Sequence, residues 1–196
     1  MSRGGKAPVQ PCSILAAGGK RGLVKLIHPR NNVAYGEFRA SRKALSVLCF
    51  NHNQGNFFFT GSYDNKIIIW SRTRSQRPNK DSRSVCAVVL AELQWASTNI
   101  PYLALNTCPG RAYVACGDDK GRIWTYHITS LPKNSFQIGK PIPPTQVLEW
   151  PSPTRKGLDQ TKGPSINSVA MDPELRYLVA VSDKNMVIVW RRKESS

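Results

Sequence analysis

Apolar and polar residues alternate along most of this chain, and they do so in a unit that recurs. Four ten-residue segments, GGKRGLVKLI (18–27), GSYDNKIIIW (61–70), GDDKGRIWTY (117–126) and VSDKNMVIVW (181–190), align without a gap. Each opens on a small or flexible residue, passes through a polar turn and closes on an alternating run that ends in Ile27, Trp70, Tyr126 or Trp190. Within the runs Val24 and Leu26, Ile67 and Ile69, Ile123 and Thr125, and Val187 and Val189 recur at period two. That period predicts strands with one preferred buried face. The turns are made of Gly, Asp, Asn and Lys, which suit the tight bend of a hairpin.

Three of the units follow two further strand-like runs each, at 44–50 and 57–60, 102–107 and 112–116, and 168–172 and 177–181. Almost no segment has helical periodicity. Strands joined by short turns and closing on GS-x-D-x-x-x-x-x-W-like text predict an all-β fold of the WD40-type β-propeller class. An unrelated antiparallel sandwich with similar hairpins is the alternative that the pattern leaves open. In the propeller reading, Gly61, Asp64, Trp70, Gly117, Asp119, Tyr126, Asp183 and Trp190 are the structural turn and strand residues, with Asp64 one place later in its unit than Asp119 and Asp183. A complete WD repeat bonds such a carboxylate to a His and a Ser or Thr of the same blade. No GH dipeptide precedes these units, and Ser41, Tyr102 and Ser165 or Ile166 stand near its place. Packing is therefore expected to carry the blades, with Trp70 and Trp190 as core anchors in preference to an aromatic cage for methyl-lysine.

The spacing of the units is uneven: 43 residues from Ile27 to Trp70, 56 to Tyr126 and 64 to Trp190, against roughly 40–45 for an ordinary WD repeat. A Pro-rich insert at 131–164 explains the third interval. The second contains a change of composition after Trp70, SRTRSQRPNK, in which Arg72, Arg74, Arg77 and Lys80 appear with no apolar side chain except Pro78. The expected organisation is a flexible N-terminus at 1–11, repeats over 12–70 with a partial first blade, a basic linker at a seam over 71–84, repeats over 85–192 and a tail at 193–196. The extra strand Cys86 to Glu92 is read as the outer edge of a blade whose inner strands are missing. Pro8-Val9-Gln10-Pro11 is a poor first strand because two prolines bracket it. About three to four four-stranded blades result, a partial or open propeller with exposed edges, expected to be marginally stable alone.

Composition adds the chemistry. A net charge of +16 over 196 residues makes an anionic partner plausible. Arg72, Arg74, Arg77, Lys80 and Arg83 form a cationic strap suited to sequence-independent, salt-sensitive contact with DNA or RNA phosphates, without the interleaved aromatics that would stack on bases. Lys20, Arg21 and Lys25 bracket one hairpin, and Arg39, Arg42 and Lys43 precede the next blade. For each basic residue taken singly, solvated surface charge is the simpler reading. Five cysteines, at 12, 49, 86, 108 and 116, form no CxxC pair and no zinc-ligand spacing. No secretory h-region and no apolar run of bilayer length occurs, so a soluble cytosolic or nuclear protein without membrane contact is expected. His28, His52 and His127 lie in or beside separate strands, and Asp118-Asp119 falls on a turn, with Cys116 read as a small buried residue. No catalytic group, metal or cofactor is expected.

The runs 16–30, 43–70, 87–129 and 141–151, linkers included, resemble the C-terminal WD domain of the leucine-rich repeat and WD repeat-containing family that associates with the origin recognition complex. The resemblance covers about residues 12 to 192. It implies a nuclear, chromatin-associated, non-catalytic scaffold with origin recognition complex subunits, histone tails and nucleosomes as partners, particularly methylated-histone heterochromatin, in support of replication initiation and chromatin organisation. Two features depart from the family: no L-x-x-L-x-L text of leucine-rich repeats occurs, and the WD region is shorter, with the missing part falling between Trp70 and about Ser84.

Overall fold

The structure is a computed structural model, and it describes residues 14–30, 32–51, 57–74, 85–99, 104–128, 140–151 and 163–193. Its fourteen strands form four antiparallel sheets in chain order. The first sheet contains β1 (Leu15–Gly18), β2 (Leu23–His28) and β3 (Val33–Arg39). The second orders β4 (Leu45–Phe50), β5 (Phe57–Ser62), β6 (Lys66–Arg74) and β7 (Val85–Leu93) as consecutive neighbours. The third does the same with β8 (Leu105–Thr107), β9 (Tyr113–Gly117), β10 (Ile123–His127) and β11 (Gln146–Leu148). The last contains β12 (Ile166–Met171), β13 (Tyr177–Ser182) and β14 (Val187–Arg191). The four recurring units are the β1–β2, β5–β6, β9–β10 and β13–β14 hairpins. By that equivalence the first sheet lacks an innermost strand, and the last lacks an outermost one, among the described residues.

Three apolar cores lie between the four sheets, because strands in the middle of the stack bury both faces. Phe58 and Trp70 meet Val24 and Leu26 of the first sheet. Their chain neighbours Phe59 and Ile69, one residue out of phase and so on the opposite face, meet Val114, Cys116 and Tyr126 of the third. Cys116's neighbour Ala115 and Ile123 then meet Val169, Leu178 and Ala180 of the last. One face per strand was too simple an expectation for the middle sheets.

In the last sheet the expectation fails in the opposite direction. Val187 and Val189, the supposed inward pair, are 64% and 58% exposed, whereas Ile67 and Ile69 at the same places in the second unit are 0% exposed. The physical reason is position in the stack: no sheet among the described residues covers that face.

Two further departures concern strands. The residues expected to edge a blade lacking its inner strands form β7, which pairs with β6 from Ile67↔Leu93 to Arg74↔Val85 and completes the second sheet. Within the supposed insert, β11 completes the third sheet against β10, while Ile142 is buried and bridges Leu93. Strand β3 has a weak pattern, broken by Gly36 at a bulge, and sequence reading did not single it out.

Glycine is required where sheets approach one another. A Cβ on Gly117 would lie 2.3 Å from Ile166, and one on Gly18 would lie 2.7 Å from Leu45. Both intruding side chains belong to the innermost strand of the following sheet.

Candidate functional site: a cationic rim between the first two sheets

The β1–β2 turn and the connection from β3 to β4 are pressed together. Gly22 accepts hydrogen bonds from Ala40 N at 2.8 Å and Ser41 N at 3.1 Å, and Gly19 O accepts from Leu45 N at 3.1 Å. Gly22 has φ of +68°, and a Cβ there would lie 2.1 Å from Ser41 O and 2.5 Å from Lys43 O, so only glycine permits this contact. The Arg39 guanidinium donates to Arg21 O at 3.2 Å. Ser41 Oγ accepts from Lys43 N at 2.8 Å and donates to Asp64 Oδ2 at 3.3 Å, linking this rim to the next hairpin.

The result gathers Lys20, Arg21, Arg39, Arg42 and Lys43, all exposed, around one backbone junction. A shallow cleft of about 270 Å³ beside it is lined in part by Lys20, Arg21 and Lys25. Lys25 is paired with Glu37 at 3.1 Å. Lys20, Arg21, Arg42 and Lys43 form no ion pair among the described residues. Exposed cations on adjoining turns attract an acidic surface or phosphates in a salt-dependent way.

The cationic strap lies elsewhere. Arg72 and Arg74 are in the far half of β6, opposite Ala87 and Val85, whereas the β5–β6 turn at Tyr63–Asn65 adjoins the rim. Arg77, Lys80 and Arg83 fall outside the described residues. Only the backbone of Arg72 and Arg74 is placed, at the end of β6 away from the β5–β6 turn.

The WD turn residues show how each hairpin is held. Asp64 accepts from Ser62 Oγ and Ser41 Oγ. In the third sheet the sequence assigns the turn to Asp119, but Asp118 does the bonding: it accepts from Lys120 N and Arg122 N at 2.9 Å each, Arg122 Nε at 2.7 Å and Trp124 Nε1 at 3.0 Å. Oδ1 of Asp119 is buried without a hydrogen-bond partner among the described residues. In the last hairpin Ser182 Oγ accepts from Met186 N at 3.3 Å, and Asp183 contributes its backbone N–H to Ser165 O at 3.0 Å. The run of two aspartates offered no means of choosing between them, since the deciding feature is the side chain of Arg122, stacked 5.2 Å over Trp124.

Of the large residues ending the units, Trp70 and Tyr126 are buried anchors. Trp70 is 5% exposed, donates Nε1 to Thr60 Oγ1 at 2.9 Å and lies 4.7 Å from the Phe38 ring. The buried Tyr126 hydroxyl donates to Gln94 O, and burial pushes its pKa up. Trp190 is half-buried against the third core. Gly61 sits buried in the β5 ladder opposite Ile67.

Two of the described thiols are poor nucleophiles. Burial pushes Cys49 up to about 12 and raises Cys116 as well, so neither forms the reactive thiolate near neutrality. Among the described residues there is no cluster of three or more metal-ligating side chains, and no helix is long and apolar enough to cross a membrane.

Comparison with known proteins agrees with this architecture. The family model described as "Leucine-rich repeat and WD repeat-containing protein 1, WD domain" matches residues 6–84 and 70–193, two segments that overlap at 70–84. The chain is 38% identical to Leucine-rich repeat and WD repeat-containing protein 1 of Danio rerio over 304 residues, covering 98% of this chain and 39% of the relative. It is 39% identical to the Mus musculus protein of that name, covering 92% and 44%. The chain thus spans well under half of these relatives. An alignment of 304 residues exceeds the 196 present here, so the Danio rerio relative carries a stretch that faces no residue of this chain. The fold superposes on the Cps50 (Swd1) β-propeller domain of Myceliophteria thermophila with a TM-score of 0.67 at 12% identity, covering 92% of this chain and 48% of that one. Chaetomium thermophilum Sqt1 gives 0.61 at 18% identity, with 91% and 40% covered. At such identities the fold alone is shared.

Proposed function

Because the chain belongs to the WD-domain family of leucine-rich repeat and WD repeat-containing protein 1, we propose that it is a non-catalytic scaffold that associates with the origin recognition complex and with chromatin. Family membership supports the partners. The observation that carries the docking surface is the cationic rim: four exposed cations that form no ion pair among the described residues, fixed by the Gly22 contacts to residues 40 and 41. Such a rim suits the acidic faces of nucleosomes or of origin recognition subunits, with contact made by surface complementarity on a stack of sheets. Methylated histone tails, a nuclear location and support of replication initiation belong to the same reading, as does a join at 70–84, where the two matched segments of the family model overlap.

A second reading, favoured by the +16 charge alone, is a basic β module that binds DNA or RNA without sequence preference. One experiment separates them. The full chain is tested for capture of origin recognition subunits and of nucleosomes with and without histone methylation, beside free duplex DNA, over a salt series. The scaffold reading expects subunit capture and a preference for methylated nucleosomes, both weakened about tenfold by charge reversal at Arg21, Arg42 and Lys43, for a coupling near 1.4 kcal/mol. Binding to free DNA alone, falling steeply with salt and indifferent to subunits, overturns it in favour of the second.

A further inference from the structure

The sheets of this chain meet by a rule. In each ten-residue unit, places seven and nine face the following sheet, and places eight and ten face the preceding one. Val24 and Leu26 (seven and nine of the first unit) pack with Ile68 and Trp70 (eight and ten of the second). Ile67 and Ile69 pack in the same core as Trp124 and Tyr126, and Ile123 shares a core with Trp190. Among the described residues the rule leaves two residue pairs that no sheet covers: Val187 and Val189 at the end of the stack, and Lys25 and Ile27 at its start.

The two free faces have the signs of an unfilled interface. Among the described residues, five of the ten exposed large apolar side chains lie on these two faces by register: Leu15 opposite Ile27, and Tyr177, Val181, Val187 and Val189. Val181, Val187, Val189 and Tyr177 lie on one face by the β13–β14 register. An exposed, contiguous apolar sheet face of this kind marks an interaction surface. The first sheet's free face offers Ile27 and the stem of Lys25, whose ammonium is already neutralised by Glu37. Position one of the units agrees. Gly18 and Gly117 make room for the innermost strand of the following sheet, but the last unit has Val181 there, and the first sheet carries no such strand among the described residues.

We propose that two copies of this chain close one eight-sheet ring, each laying the Val187/Val189 face of its last sheet on the Lys25/Ile27 face of the other's first. The occupant is a second copy because Val181 stands where Gly18 and Gly117 admit an innermost strand, and this chain's own first sheet is the one without such a strand among the described residues; a head-to-tail contact of this kind either closes or polymerises. The arc is the right size to close in two. It covers 48% of one propeller chain and 40% of another, and eight sheets fall within the range of roughly four to eight blades that propellers adopt.

The test is solution mass by sedimentation equilibrium on the full chain. The expected species has twice the 21.8 kDa of one chain. Val187→Asp with Val189→Asp, at exposed positions that leave the three internal cores intact, should halve the mass with an unchanged circular dichroism spectrum. Lys25→Asp, on the opposite face and beside Glu37, should do the same. Mixing the two variants leaves each pair one competent contact and should restore the doubled mass. A wild-type chain that stays single overturns the proposal, as does a dimer that survives both variants or a mass that grows without limit with concentration.

Discussion

Ile69 and Val189 occupy the same place in two copies of one repeat, yet the first is 0% exposed and the second 58%. The local text is nearly the same, IIIW against VIVW, and the hairpins are paired in the same antiparallel way. What differs is the neighbour: the third sheet covers Ile69, and nothing among the described residues covers Val189. In a stack where each unit touches only those beside it, alternation records that a face is built for burial. Whether it is buried depends on what stands next to it.

The sharpest way to break that comparison is to truncate both residues. Ile69→Ala should cost about 2–5 kcal/mol, because the cavity opens between two packed sheets. Val189→Ala in the single chain should stay within about 0.5 kcal/mol, as at an ordinary surface site. Urea denaturation measures both, and equal costs would sink the account of the end sheet. If two copies close a ring, the cost at Val189 should also grow with protein concentration, as binding to the folded state requires.

A smaller effect should distinguish two adjacent carboxylates in the third sheet. Asp118 is buried and accepts from four groups, including the Arg122 guanidinium at 2.7 Å, so Asp118→Asn should destabilise by about 1–3 kcal/mol. Asp119→Asn, at a half-buried position whose Oδ1 is unpartnered, should change stability by less than about 0.5 kcal/mol. Thermal melts of the two variants decide which aspartate holds the turn.

The repeat was legible because hairpins announce themselves locally: the Gly, Asp and Asn of the turns and the period-two runs place β5, β9, β10, β13 and β14 within a residue or two, whereas β6 runs four residues past Trp70 into the text read as linker. Three things were not. β3, with its Gly36 bulge, carries only a weak apolar pattern. β11 is three residues long and lies in proline-rich text. The role of β7 depends on pairing across residues 75–84, and no local pattern says whether an outer strand belongs to the sheet before it or to one that is absent. The strand's fit is itself informative. Paired with β6, the strand makes β4 to β7 a complete four-stranded sheet. The cationic rim was half legible. Its residues were visible as two clusters, and what brings them together is the positive φ at Gly22 and the backbone bonds it accepts from residues 40 and 41.

The smallest effect expected lies in the end sheet and concerns pH. Asp172 caps the turn from β12 to β13, accepting from Tyr177 N at 2.7 Å and from Arg176 Nε at 3.2 Å. The Tyr177 N–H foremost, aided by Arg176, holds its carboxyl below the ordinary 3.8. A depressed folded-state pKa means that the stabilisation is complete above the ordinary value and is lost as pH falls below 3.8 through the folded-state value. Asp172→Asn should therefore lower the melting temperature slightly at about pH 6, and the difference from the parent should shrink toward about pH 2. Asp172 is half-buried but its partner Arg176 is exposed, so salt and solvent screen much of the pair's charge, and the shift should be well below that of Asp118→Asn. The same turn also receives the Cys108 thiol, which donates to Asp172 O at 3.3 Å from the third sheet. If the pH dependence proved as large as the cost of a core truncation, the end sheet would be held by its turns and not by its one buried face, and the contrast between Ile69 and Val189 would lose its meaning.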